Sequence, residues 1–244
     1  MTASNDPGLV VALDGPASSG KSSVGAAAAL RVGYRFCDTG LLYRAATWLA
    51  LRRGVRVEGE GTDPLALVAL VPEIDLVPDE NGRLAHVSVD GEDVTADVHT
   101  PQVDEEVSAV SRVAELRTAL LERQRALAAE PGGIVMAGRD IGTVVLPDAD
   151  LKIFLDASAE ERARRRAEER GLSPDSAEAR EILDQLRRRD DLDRNRAVAP
   201  LRPADDAIHI VTDGNEFEQT VDAVVGAIES AQQRRASGRA PTPR

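Results

Sequence analysis

The sequence predicts an α/β protein: a parallel sheet covered by helices on both faces, interrupted by a small antiparallel β insert. Three observations predict it. Short apolar runs of strand length alternate with helical stretches along most of the chain. The first such run passes through a glycine-rich turn straight into an alanine-rich helical stretch. One segment, 73–95, breaks the alternation with three short β-like runs separated by ENG and DGE turns, the pattern of an antiparallel meander.

In chain order, LVVALD (9–14) reads as a buried strand, and Lys21 to Arg31 as the helix that follows. YRFCD (34–38) is a second strand. Thr39 to Arg53 is a helix that Thr39 caps at its start and Gly54 ends. After the meander, Glu105 to Ala129 carries helical apolar spacing at Val113, Leu116, Leu120 and Leu127 and reads as one helix. GGIVMAG (132–138), LKIFLD (151–156) and AIHIV (207–211) are further buried strands. Glu160 to Arg196 holds eleven arginines, eleven acids and few apolar residues, which predicts mobile, solvent-facing helix laced with i,i+4 ion pairs. Residues 1–8 and 231–244 are polar and small, and read as flexible ends.

Composition narrows the classes. With 244 residues, 42% hydrophobic and 30% charged, the chain is long enough for one well-buried domain, placed here at 9–230. No apolar stretch approaches the ~20 residues of a membrane span, so no membrane partner is expected. A net charge of −12 argues against a general nucleic-acid binder. The single cysteine, Cys37, excludes a disulfide framework and, with no secretory signal visible, places the protein in the reducing cytoplasm. Of the 30 basic residues only Lys21 and Lys152 are lysines.

One of those two lysines stands in a motif. Gly15-Pro16-Ala17-Ser18-Ser19-Gly20-Lys21-Ser22 fits G-x-x-x-x-G-K-[ST] at every fixed position, after a strand and before a helix. This chain's composition gives such a match by chance in roughly one case in a thousand. Glycines let the backbone curl so that successive N–H groups face phosphate oxygens, and the helix start adds its positive end. Lys21 reaches the β and γ phosphates and the Ser22 hydroxyl can ligate Mg²⁺. The motif indicates a nucleoside triphosphate without naming the reaction.

A guanine-reading element needs a lysine that this chain lacks. A small kinase needs a second anion pocket rich in arginine, and three segments are candidates. Asp38-Thr39-Gly40-Leu41-Leu42-Tyr43-Arg44 lies at a strand's carboxyl end, where ligands bind in open α/β sheets. The alternative is an ordinary helix cap with a surface arginine. Gly138-Arg139-Asp140-Ile141-Gly142 follows an apolar strand, where the alternative is a loop ion pair. Arg189 to Arg196 is charge-dense, and a solvated helical face explains most of it. His86, His99 and His209 lack metal-ligand spacing, and Trp48 reads as a packing residue.

VALDGPASSGKSSVG, DTGLLYRA, GRDIGTVVLPDADLKIFLDASAEERARRR and RDDLDRNRAVAPLRPADDAI together, in this order, resemble the bacterial cytidylate (CMP/dCMP) kinases, a family of P-loop nucleoside monophosphate kinases. The resemblance covers about 9–229. It implies a P-loop kinase fold with a core at 9–62, 104–159 and 197–230. It further implies a monophosphate-binding insert at about 63–103 and a helical lid at about 160–190. By that likeness Gly15 to Ser23 hold the phosphates of ATP, with Mg²⁺ at Ser22. Asp38, Thr39, Tyr43 and Arg44 face CMP or dCMP. Ser108, Arg117 and Asp140 read cytosine, a carboxylate being able to accept from the exocyclic amino group. Asp193 and Arg196 serve the sugar and phosphate.

Lys21, Arg139 and Arg189 then carry the transfer of the γ-phosphoryl group. Arg162, Arg166 and Arg189 are the arginines expected to swing in from the lid. The family default is a monomer. Many members carry a carboxylate just before the GRD triplet where this chain has Ala137, and Asp14 is the expected water-mediated substitute near Mg²⁺. Two other readings stay open: a kinase of another small acceptor such as UMP or shikimate, and an ATP-binding regulator without turnover.

Overall fold

The computed structural model describes residues 8–57 and 62–238. The expected flexible ends at 1–7 and 239–244 fall outside these residues. An eight-stranded sheet runs through the molecule in the order β3-β4-β2-β6-β1-β7-β8, with β5 added beside β4. Here β1 is Val10–Asp14, β2 Arg35–Asp38, β3 Ile74–Pro78, β4 Arg83–Val89, β5 Glu92–Asp93, β6 Ile134–Gly138, β7 Leu151–Asp156 and β8 Ile208–Val211. The five strands β2, β6, β1, β7 and β8 are parallel, whereas β3, β4 and β5 form the antiparallel meander. That meander joins the main sheet, because β4 pairs in parallel with β2 through Phe36–Arg83 and Cys37–Leu84.

Alternation along β1 explains how the sheet is covered. Val11 and Leu13 face the helices α1 (Lys21–Val32) and α8 (Phe217–Ala236), packing with Val24, Ala28, Val221 and Val224. Ala12 points to the other face, against Ile134, Met136 and Ile141. On that second side α2 (Gly40–Arg52), α3 (Pro64–Ala69), α4 (Pro101–Val110) and α5 (Ala114–Ala129) enclose a core with Leu42, Leu67, Ile74, Leu116 and Leu120, each essentially inaccessible. Cys37 is buried with Ala12 and Met136 as a small core residue, and burial pushes its thiol pKa up.

Chain order places the ligand crevice. From β1 the chain crosses to β2 on one side, and from β6 it crosses to β7 on the other, while β1 and β6 are neighbours with Asp14 opposite Gly138. Their carboxyl ends therefore flank a topological switch point, the position at which open α/β sheets bind ligands.

Four sequence expectations need correction. The helix expected over 105–129 is two helices. The Ser111 hydroxyl takes the Ser108 carbonyl and the Arg117 side chain takes the Ser111 carbonyl, acceptors that a continuous helix would use for its own backbone. Strand β8 is an edge strand with three of its four residues exposed, so its apolar composition does not mean burial. Residues 231–236 belong to α8, where Ala231 is buried and Gln232 donates to the Tyr34 hydroxyl at 2.8 Å. The charged stretch forms α6 (Ala159–Glu169) and α7 (Ala177–Arg194), which are not merely solvent-facing. Ala163, Ala167, Ala179, Ile182 and Leu186 form a buried seam between them that also encloses Ala17.

Candidate active site

The loop after β1 is shaped by residues that could hardly be replaced. A Cβ on Gly15 would stand 2.1 Å from the Leu155 carbonyl oxygen, so only glycine lets β1 turn beside β7. Gly20 opens α1 in the left-handed region, with φ of 89°. Lys21 is 6% exposed, and its Nζ donates to the Pro16 carbonyl at 2.5 Å and the Ser19 hydroxyl at 3.2 Å. Burial, followed by the positive charge of Arg139, pulls the Lys21 pKa well below its ordinary value. Two cations this close make a site whose natural occupant is an anion.

Ser22 donates its hydroxyl to Asp38, whose other carboxylate oxygen accepts from the Gly40 N–H at 2.9 Å. Asp38 rather than Thr39 therefore caps α2. Thr39 has a helical backbone, and both its N–H and its hydroxyl donate to the Ala137 carbonyl, at 3.0 and 2.9 Å. It ties the end of β2 to the end of β6. Asp14 is also committed elsewhere than expected. Its two oxygens accept from the Ile141 and Gly142 N–H groups at 2.8 and 2.7 Å, which holds the wide π-type turn Ile141–Val145 under β1. Burial raises its pKa to about 6. The carboxylate in contact with the P-loop hydroxyl is thus Asp38, and Ala137 is buried in the apolar layer beneath α1.

That turn aims Arg139 and Asp140 into the crevice. Arg139 Nε donates to Asp193 at 3.0 Å. Asp140, 5% exposed, accepts from Arg117 on one oxygen and from Arg196 on the other, the latter at 3.1 Å. Arg117 lies over the Tyr43 ring at 5.5 Å from its centroid. Burial raises the Tyr43 pKa and lowers that of Arg196. Asp140 is therefore the node that fixes two guanidinium groups from α5 and from beyond α7. Its remaining lone pairs are what a base amino group could use.

Arg44 reaches from α2 to Asp104 at 2.5 Å and to the Val98 carbonyl at 3.1 Å. Arg189, on α7, leaves its buried Nε without a partner, and burial together with Arg139 pulls its pKa down to about 10. A buried guanidinium with an unpartnered Nε, set beside the charges of Arg139 and Arg44, favours an anion nearby.

A single cavity of about 670 Å³ joins these groups. It is lined by Ala17 to Ser23, by Asp38, Thr39, Tyr43 and Arg44, and by Ser108, Arg117, Arg139, Asp140, Arg189, Asp193 and Arg196. Gly15 and Pro16 shape the loop behind that wall. Among the expected lid arginines Arg166 lines the cavity, but Arg162 does not. Arg162 is 1% exposed, its Nη1 and Nε held by the Ala17 and Ala157 carbonyls at 2.8 and 3.0 Å and its guanidinium paired with Asp190. It cannot swing in without opening the seam, so the expectation for Arg162 is overturned.

Sequence reasoning missed His99 and Ser111 at one end of the cavity. It also missed Arg165, Thr212, Asn215, Phe217 and Thr220 at the other. Arg165 donates to the Thr212 hydroxyl at 2.9 Å and to the Thr212 carbonyl, pinning the loop after β8 to α6. The position of 212–216 beyond the carboxyl end of β8 was a usable signal. Arg165 carried none within its arginine run.

Comparison with known proteins agrees with this geometry. The family model described as cytidylate kinase matches residues 11–230. A curated cytidylate kinase of Nocardia farcinica is 46% identical over 219 residues, 90% of this chain and 93% of the relative. One from Streptomyces avermitilis is 42% identical over 91% of this chain and 94% of its own length, and one from Bacillus licheniformis 42% over 93% and 98%. With the P-loop, the crevice and the arginine-rich far wall in place, the chain belongs to the cytidylate kinase family.

Proposed function

We propose that the protein transfers the γ-phosphoryl group of ATP to CMP or dCMP, giving ADP and CDP or dCDP. One observation carries this reading. A P-loop with a buried lysine and a wall bearing Arg44, Arg139 and Arg189 line the same cavity, so donor and acceptor phosphates share one enclosure. Beyond that wall, Asp140, Arg117 and Ser108 offer a carboxylate, a guanidinium and a hydroxyl to a pyrimidine edge. The ATP base is assigned to the opposite end, beside Arg165, Thr212 and Phe217.

The acceptor oxygen of a nucleoside monophosphate is already anionic, so the reaction needs no strong general base. The chain's residues contribute position and charge. Lys21 and Arg139 face each other across the place where negative charge is exchanged, held there by Pro16 and Asp193 before substrate arrives. Arg189 brings a donor with no competing partner. Arg166 and Arg189 on α6 and α7 wall off water, which would otherwise take the phosphoryl group. The touching hydroxyl of Ser22 and carboxylate of Asp38 are the oxygen donors Mg²⁺ accepts. When bound with ATP, the ion neutralises charge on the β and γ phosphates. No helix of the described residues is long and apolar enough to cross a membrane, and the buried lone cysteine suits the reducing cytoplasm.

The test is ADP formation from Mg-ATP with CMP, dCMP, UMP, AMP, dTMP and shikimate offered separately. Turnover led by CMP and dCMP supports the proposal. Turnover led by UMP or shikimate gives the enzyme another acceptor, and ATP binding without transfer to any of them makes it a regulator.

A further inference from the structure

We propose that Asp104 is a built-in counter-ion of the acceptor-phosphate pocket, a carboxylate that occupies the phosphate's arginines and that the incoming monophosphate displaces. The inference rests on the reading that Arg44 holds that phosphate, with Arg166 closing over it from α6.

Asp104 stands in the first turn of α4, which enters from the insert side of the crevice. One of its oxygens accepts from Arg44 at 2.5 Å and the other from Arg166 at 3.5 Å. A single carboxylate thus spans α2, α4 and α6, with one oxygen for each guanidinium. That is the disposition of a phosphate shared between two arginines. The contact is not a sealed structural ion pair. The Asp104 side chain is 28% exposed and those of Arg44 and Arg166 are 18% and 24% exposed, so the carboxylate can turn out to water when another anion arrives. The contrast with Arg162–Asp190, whose side chains are 1% and 4% exposed, marks the difference between a counter-ion and a fixed strut.

The surroundings supply the reason for a counter-ion. Arg139 and Arg44 both bear on Arg189, and the carboxylates that offset them there are Asp193 and Asp104. Asp193 is bound to Arg139 and only 6% exposed, leaving Asp104 as the group able to leave. A phosphate dianion carries more charge and a third oxygen, and Arg189 on the cavity wall adds a further cation to meet it. The monophosphate therefore wins the exchange, but with an affinity reduced by the contacts it replaces. A small anion without a nucleoside, lacking the contacts at Asp140 and Arg117, gains least. Asp104 would in this way hold the pocket against inorganic phosphate.

The experiment measures binding of CMP and of cytidine by calorimetry, and inhibition by inorganic phosphate against CMP, for the wild type, Asp104→Asn, Asp104→Ala and Arg44→Ala. Both Asp104 variants should bind CMP at least about threefold more tightly, the scale of a partly exposed carboxylate–guanidinium contact. Inorganic phosphate should inhibit them at correspondingly lower concentration, and cytidine affinity should not move. Two variants of different size guard against a local packing defect in one. Unchanged or weaker CMP binding in both overturns the proposal, because Asp104 would then merely hold Arg44 in place. Equal gains for CMP and cytidine overturn it too. Arg44→Ala separates the two levels of inference. Loss of CMP binding with cytidine unaffected keeps the acceptor-site reading whatever Asp104 does, whereas unchanged CMP binding removes both.

Discussion

Arg162 and Asp190 pair side chain to side chain inside the seam between α6 and α7, and the same guanidinium donates to the carbonyl of Ala17 in the phosphate loop. The most charged stretch of the chain is thereby anchored on the loop proposed to hold the donor phosphates. A buried pair of this kind is costly to break from one side, because the remaining charge is left unsolvated. Arg162→Ala should destabilise the protein by about 3–5 kcal/mol in urea unfolding. Arg162→Met with Asp190→Leu together should recover most of that stability. If ATP KM stays at the wild-type value in the double variant, the link to Ala17 has no bearing on donor binding.

Lys21 is the one lysine of the site, buried and directed along the loop. Lys21→Ala should lower kcat by about 10²–10³-fold, the scale for losing one preorganised donor to developing charge, with circular dichroism unchanged. Near-normal turnover would remove the phosphate-loop assignment.

Arg189 is held in an unfavourable place, buried beside Arg139 and with its Nε unpaired. Arg189→Met should therefore leave the midpoint of urea unfolding equal to or above that of the wild type while kcat falls by about 10³-fold, the lower range for a charge-stabilising arginine in phosphoryl transfer. Parallel loss of stability and activity would mean that Arg189 is structural.

Asp140 holds Arg117 and Arg196 at once. Asp140→Asn should narrow the preference for CMP over UMP in kcat/KM by about 1–3 kcal/mol, the worth of one good polar base contact. An unchanged ratio would assign the base reading to Ser108 and Arg117 alone.

Asp14 provides a pH signature. Its pKa is raised by burial from 3.8 to about 6, so the folded state binds its proton more tightly than the unfolded chain does. The stability this contributes is complete below about pH 4 and is lost as pH rises through about 6, a change of about 3 kcal/mol. The unfolding free energy of the wild type minus that of Asp14→Asn, followed in urea from pH 4 to 7, should fall by that amount. A flat difference would show that Asp14 ionises normally in the folded protein.

Features set by local chemistry were legible along the chain. The P-loop needs glycine where Leu155 approaches Gly15 and a left-handed residue at Gly20, and both requirements are legible in the motif. Strands β1, β2, β6 and β7 and the meander followed from runs and turn residues alone, with β7 matching its expected bounds at Leu151 and Asp156. Tertiary structure decided everything that depended on partners. Thr39 gave up its cap for the Ala137 carbonyl, and Arg117 took the carbonyl that would have continued α4 into α5. Asp14 went to the backbone of Ile141 and Gly142, and Arg162 vanished into a seam that its charged neighbours conceal. A hydrogen-bonding side chain can satisfy several acceptors equally well on local grounds. Only the packing of distant strands and helices selects which of them lies within reach, and so which arginines stay free to meet a phosphate.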